Sequence, residues 1–262
     1  MEPRLEALTP LVRSLARQEI LPRFVNVRAE TKSDGSLLTE ADSAMQSALI
    51  HALTEKYPDI KVLGEEMDPD QQQGLLDEGG AIWCVDPLDG TTNFAAGMPI
   101  FSVSVALIEQ GRPQLGVVYD PIRDECFSAA ADQGAWLNGL PLHVSPWSRG
   151  MSETVAVVDF KRLHRELAIE LASNPPYRSQ RNLGTCALEW AWLAAGRFQL
   201  YLHGGQKLWD HAAGVLIARE AGAHVLTPRG EPVLANKLAP CPVLAATDKA
   251  LWDQWRNAVT LF

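Results

Sequence analysis

The sequence predicts an α/β protein, with an α+β N-terminal half over residues 1–145 and an α/β C-terminal half over residues 146–262. Two stretches of helical apolar spacing open the chain, and a series of short apolar runs bounded by turn residues fills the middle. After a Pro-, Ser- and Gly-rich segment at residues 141–151, strand-like and helix-like stretches alternate. Successive strands read as an α+β sheet, whereas strict alternation reads as parallel βαβ units.

In chain order, Leu5, Leu8, Val12, Leu15 and Ala16 share one helical face. Pro10 sets the expected start of the regular helix, with Thr9 as N-cap, because proline is tolerated in a first turn. A second helix follows Thr39, with Ala41, Met45, Ala48, Leu49, Ala52 and Leu53 as its apolar set. Thr39 and Asp42 resemble a capping box, which puts Asp42 at a helix start. The runs at 62–63, 81–85, 101–108, 115–119 and 126–129 each read as a strand, and the polar residues 68–80 as a surface loop. Beyond the divide, strands are expected at 154–158, 198–202 and 243–246 and helices at 162–172, 185–195, 209–221 and 248–259.

Composition narrows the function. Hydrophobic residues are 47% of the chain and charged residues 21%, so it should fold around a core rather than stay disordered. The net charge of −9, with no block of basic residues, argues against nucleic acid as the primary ligand. The longest apolar run, residues 190–195, is far too short to span a bilayer, and the opening residues lack a secretory pattern, so no membrane partner and a cytoplasmic location are expected. Cys84, Cys126, Cys186 and Cys241 form no C-x-x-C pair and the six histidines no metal-binding spacing. G-x-S-x-G, Walker and G-x-G-x-x-G patterns are all missing.

What remains is acidic. In Trp83-Cys84-Val85-Asp86-Pro87-Leu88-Asp89-Gly90-Thr91-Thr92-Asn93-Phe94 a buried strand ends on two carboxylates three residues apart, followed by residues able to open a helix. Asp86, Asp89 and the Leu88 carbonyl are hard oxygen donors suited to Mg²⁺, and the Gly90 and Thr91 amides would meet a phosphate. An ordinary D-P-x-D-G turn is the competing reading. Gly64-Glu65-Glu66 follows a strand and Trp209-Asp210 opens a helix; alone, these read as a solvated pair and an N-cap. Taken together, the carboxylates read as a cation site, since several in one cleft repel unless divalent ions offset the charge.

These blocks, with Gly116-Val117-Val118-Tyr119-Asp120-Pro121, Gly134-Ala135-Trp136-Leu137-Asn138-Gly139 and Trp209-Asp210-His211-Ala212-Ala213-Gly214, resemble the inositol monophosphatase family of Mg²⁺-dependent, Li⁺-sensitive phosphatases from Lys32 through Val225. The resemblance implies a layered αβαβα sandwich with the active site between its halves, a homodimer, and two or three Mg²⁺ per site. It implies Glu65, Asp86 and the Leu88 carbonyl as ligands of a first ion, Asp86, Asp89 and Asp210 as ligands of a second, and a weaker third ion near Glu65. It further implies Asp42 and Thr91 as the dyad that orients the attacking water, and Lys32 in the third-metal loop. Metal coordination would lower the pKa of that water, with no phosphoenzyme required.

On the substrate side, Gly184-Thr185-Cys186-Ala187 resembles a segment whose backbone faces the sugar or polyol, with Cys186 replacing the usual alanine. Inositol-cleaving members carry an acid where this chain has His203, and imidazole is no simple substitute for a carboxylate. His203 either faces the substrate or merely faces water at a strand end. Trp190 and Trp192 read as core rather than ligand platform. The implied ligand is a small phosphorylated substrate, inositol monophosphate or a related polyol or sugar phosphate. A 3′-phosphoadenosine 5′-phosphate phosphatase and a non-catalytic regulatory protein of the same fold are the alternatives.

Overall fold

A computed structural model describes residues 2–24, 29–31 and 37–259. The first helix, α1 (Pro3–Glu19), begins well before the expected position: the Glu2 carboxylate accepts the Leu5 N–H at 2.9 Å and Pro3 occupies the first turn. Pro10 therefore lies inside the helix, on its exposed face, while Leu5, Leu8, Val12 and Ala16 are buried, and their burial outweighs the lost backbone bond. Thr9 is not a cap; its hydroxyl donates to the Leu5 carbonyl. The short helix α2 (Leu21–Phe24) follows. Strands β1 (Ala29–Thr31) and β2 (Leu37–Thr39) form an antiparallel pair leading into α3 (Glu40–Lys56), where Thr39 and Asp42 make the expected capping box.

After β3 (Lys61–Gly64), the expected loop at 68–80 is instead mostly helix, α4 (Pro69–Glu78). Asp68 accepts the Asp70 N–H, and Pro69 has its φ pre-set for a first turn; this Asp-Pro start is the signal that polarity obscured. Next come β4 (Ile82–Asp89), α5 (Thr91–Ala95), β5 (Ser102–Glu109), β6 (Arg112–Asp120), β7 (Glu125–Ala130), β8 (Gly134–Leu137) and β9 (Leu140–Leu142). Strands β3 to β9 make a seven-stranded sheet in sequence order, antiparallel except for the parallel β3–β4 pair.

Strand β10 (Val155–Asp159) runs into a 3₁₀ turn, Phe160–Arg162, and then come α6 (Arg165–Ser173), β11 (Ser179–Arg181), α7 (Cys186–Ala194), β12 (Leu200–Gln206), α8 (Leu208–Glu220), β13 (His224–Leu226), β14 (Cys241–Ala246) and α9 (Lys249–Val259). Their five-stranded sheet has the order β11-β10-β12-β14-β13. It corrects the purely parallel expectation: β11, β10 and β12 are parallel, but β14 runs antiparallel to both β12 and β13. The connection from α8 to β14 passes through the hairpin-like β13, so the last crossover reverses direction.

Strand alternation explains the layering. On β4 and β5, Trp83, Val85, Val103, Val105 and Leu107 pack on one side against α1 and α3. Cys84, Ala106 and Ile108 face the other way, into a core built on α7 and α8 that also receives Val157, Tyr201, Val243 and Ala245 of the second sheet. On that sheet's far side, Ala156, Val158, Leu200, Leu202, Leu244 and Ala246 pack with Leu171 of α6 and Trp252 and Trp255 of α9. The result is the αβαβα sandwich, with one core joining both sheets through α7 and α8. Trp190 is part of it, fully buried and edge-on to Tyr201 at 4.7 Å.

Candidate active site

Asp86 and Asp89 are three residues apart, a spacing that on a regular strand puts side chains on opposite faces. Between them β4 takes three steps where β5 takes two, from Ser104 to Ser102, so the extra residue of this bulge turns both acids the same way. Every residue of β4 is buried, and Asp86 is only 1% exposed. Burial first, then the charges of Glu65, Asp89 and Asp210, push the Asp86 carboxyl well above its ordinary range, and Glu65 stands within hydrogen-bonding reach. The four acids thus occupy one neighbourhood, although they come from three distant stretches of chain.

Glu65 is held there by amides that the sequence did not single out. The Gln72 side chain on α4 donates to the Gly64 and Glu65 carbonyls at 2.8 and 3.0 Å, and Gln46 on α3 accepts the Glu66 N–H at 2.9 Å. Asp210 is the third residue of α8, not its N-cap, and its carboxylate reaches back to the Lys207 N–H at 2.8 Å. Its pKa is pushed up to about 7 by burial and then by Asp89, against the opposing Lys207 N–H and the charges of Lys207 and Arg162. Asp89 also anchors the start of α7: its carboxylate accepts the Cys186 N–H (3.0 Å), the Ala187 N–H (2.7 Å) and the Thr185 hydroxyl (2.5 Å), with Ser102 at 3.3 Å. An anion at a helix start is favoured by its free N–H groups and by the dipole. The polar groups of Thr185 and Cys186, expected to face the substrate, are thereby turned toward Asp89.

Among the described residues, no group of three or more His, Cys, Asp or Glu side chains is arranged to hold a metal ion as it stands. The donor set nonetheless fits a hard divalent cation: hard carboxylate oxygens that repel one another, two buried (Asp86, Asp89) and two half-buried (Glu65, Asp210), are what such an ion relieves. Leu88 is buried, its N–H donates to Asp86 at 3.0 Å, and its carbonyl lies 3.0 Å from the Thr91 hydroxyl oxygen.

Thr91 and Asp42 are brought together from 49 residues apart, the hydroxyl lying 2.9 Å from Asp42 Oδ1 and 3.0 Å from the Leu88 carbonyl. Asp42 is fully buried, and its other oxygen accepts the Thr39 N–H and hydroxyl at 2.7 and 2.5 Å. Burial raises its pKa against those bonds. Gly90, between the acids and α5, has φ of 98°, and a Cβ there would sit 3.2 Å from the Ile100 carbonyl and the Thr185 Cβ, so the turn admits glycine alone without strain. Helix α5 is only five residues long. Lys32 lies outside the described residues.

His203 does not face water. It is 5% exposed, its Nε2 is 3.4 Å from Asp159 Oδ2, and its Nδ1 accepts the Gly205 N–H at 3.1 Å. Asp159 was missed by sequence reasoning, since nothing near it in the chain marks it; only the register of β10 against β12 sets it opposite His203. Glu189 on α7 was missed too. Its carboxylate accepts the Leu183 N–H and the Tyr201 hydroxyl, both at 2.8 Å, and so fixes the loop that carries Gly184 and Thr185.

The model of the inositol monophosphatase family matches residues 2–259. The chain belongs to the inositol monophosphatase family. Among its relatives are a protein named Nus factor SuhB from Pasteurella multocida, 35% identical over 240 residues that cover 82% of this chain and 87% of that one, and an inositol monophosphatase from Mesembryanthemum crystallinum, 36% identical with 79% of each chain covered. The structure of an inositol monophosphatase from Thermotoga maritima is 27% identical, with a TM-score of 0.84 over 98% of this chain and 96% of that one. Among the described residues, no helix is long and apolar enough to cross a membrane.

Proposed function

We propose that the protein is a Mg²⁺-dependent phosphomonoesterase acting on a small soluble phosphate ester, with inositol monophosphate or a related polyol or sugar phosphate as substrate. The observation that carries this is the gathering of Glu65, Asp86, Asp89 and Asp210 beside the Asp42–Thr91 hydrogen bond. Two or three Mg²⁺, held by Glu65, Asp86, the Leu88 carbonyl, Asp89 and Asp210, would polarise the phosphate and acidify water. The chain's own part is to aim and deprotonate. The Thr91 hydroxyl donates to Asp42 Oδ1, which leaves a lone pair on Thr91 Oγ1 to accept a hydrogen bond from the attacking water; as Thr91 takes the water's proton it passes its own to the Asp42 carboxylate. Asp42, locked by its two bonds to Thr39, fixes the direction of that acceptance. In this reading the Gly90 and Thr91 amides would meet the ester phosphate at the turn.

A second reading, a regulatory protein that retains the fold without turnover, is favoured by the relatives named Nus factor SuhB. Phosphate release from a panel containing inositol 1-phosphate, sugar phosphates, 3′-phosphoadenosine 5′-phosphate and nitrophenyl phosphate, with and without Mg²⁺, decides between them. Mg²⁺-dependent release supports the esterase. If no ester is cleaved while Mg²⁺ still raises the melting temperature, the regulatory reading takes its place.

A further inference from the structure

We propose that Asp159, oriented by His203, forms a second wall of the active site and reads the hydroxyl groups of the substrate's organic part. This rests on the phosphatase reading above. Three parallel strands lie side by side in the order β11-β10-β12, and ligands of open α/β sheets bind outside the carboxyl ends of such strands. Past the end of β11, Thr185 and Cys186 bind Asp89; past the end of β12 comes Asp210. Asp159 is the last residue of the middle strand, so it lies between these two deliveries.

Alternation sets the facing. Val157 and Tyr201 point into the core around α7, so Asp159 and His203, two residues further along each strand, point to the same side. The 3₁₀ turn after Asp159 carries Arg162, whose charge reaches Asp210, and the Asp159 charge reaches Glu189. Gly204 clamps this corner, since a Cβ there would lie 1.6 Å from the Arg162 carbonyl.

The chemistry at this wall is one-sided. His203 Nδ1 accepts from Gly205, so the ring proton sits on Nε2, which lies 3.4 Å from Asp159 Oδ2, while Oδ1 accepts the Lys161 N–H at 3.0 Å. A carboxylate offers about four acceptor positions and no donor, so about two remain. The side chain is 13% exposed, which leaves them open. His203 and Lys161 outweigh burial and hold the acid below its ordinary range, hence ionised. Such a group favours neighbouring hydroxyls and repels a second anion. Asp159 is the specificity residue, and His203, acting through it, is a positioning residue.

The test compares the wild-type chain with Asp159→Asn and His203→Ala, both with Mg²⁺, on inositol 1-phosphate and on nitrophenyl phosphate, which has no hydroxyl to read. For Asp159→Asn the ratio of kcat/KM for inositol 1-phosphate to that for nitrophenyl phosphate should fall about tenfold, mainly through KM, as expected for losing a hydrogen bond to a charged group. His203→Ala should shift the ratio the same way by less. Parallel losses on both esters, an unchanged ratio, or a wild-type protein that cleaves only nitrophenyl phosphate would overturn the subsite and leave the phosphatase standing. A wild-type protein that cleaves neither ester overturns both.

Discussion

Strands β4 and β12 lie in different sheets, yet both slip register by one residue where they reach the site. On β4 the slip falls between Asp86 and Asp89, and on β12 between His203 and Gln206, opposite Val243 and Cys241. On β4 the bulge itself carries the acids, with Asp86, Asp89 and the Leu88 carbonyl inside four residues. On β12 the bulge is Gly204-Gly205, with no side chain of its own; it bends the strand under the Arg162 turn and lets other strands supply the contacts. On the proposed phosphate side one short piece of β4 supplies Asp86, the Leu88 carbonyl and Asp89, joined there by Glu65, Asp210 and Asp42, whereas the proposed organic side would draw on the ends of three strands.

The strongest way to break this comparison is at Asp89, which serves both sides. Asp89→Asn should lower kcat on any cleaved ester by about a thousandfold, the upper range for removing a charged transition-state stabiliser, and near-normal kcat would remove Asp89 from the chemistry. Thr91→Ala tests the phosphate side alone. It should cost about a hundredfold in kcat with KM little changed, as for loss of general-base help; a pure KM effect would contradict the role given to Thr91.

Gly204→Ala tests the organic side through packing, because the new methyl meets backbone rather than a movable side chain. Denaturant unfolding should show a loss of about 3 kcal/mol. A neutral result would mean that the β12 corner yields easily and does not fix Asp159. The finest probe is Glu189, whose pKa is raised to about 7 by burial, against the Leu183 and Tyr201 hydrogen bonds. An acid whose folded pKa is raised favours the folded state at low pH, and that advantage is lost as pH rises from the usual glutamate range through about 7. Melting temperatures followed from pH 4.5 to 8 should therefore fall more steeply for wild type than for Glu189→Gln, and identical slopes would place the Glu189 charge elsewhere.

The same contrast explains what could be read in the sequence. The acids of β4 lie within one motif, and the Thr39–Asp42 box and the Gly64-Glu65-Glu66 turn are equally local, so residue order brought them to notice while the family resemblance supplied the roles of Asp42 and Glu65. The five layers came from the family resemblance; the apolar runs marked most of the strands but not how they stack. Asp159 and Glu189 escaped because their meaning lies in register and in burial, which span 44 residues in one case and several elements in the other. Helix α4 escaped because its polar surface looks like a loop until the Asp68-Pro69 start is weighed. The antiparallel β14 escaped because local patterns carry no strand direction.

The Asp89 carboxylate takes its partners from residues 96 to 98 positions later. During synthesis β4 and its neighbours are complete long before Thr185 and Ala187 exist, so a first sheet that closed early would leave this charge with little beyond the long Ser102 hydroxyl contact. The cheapest nascent arrangement keeps that end of β4 wet and open until α7 arrives. Completion of the turn around Asp89 is thereby deferred until α7 docks, and a chain ending before α7 would lack the donors that Asp89 uses.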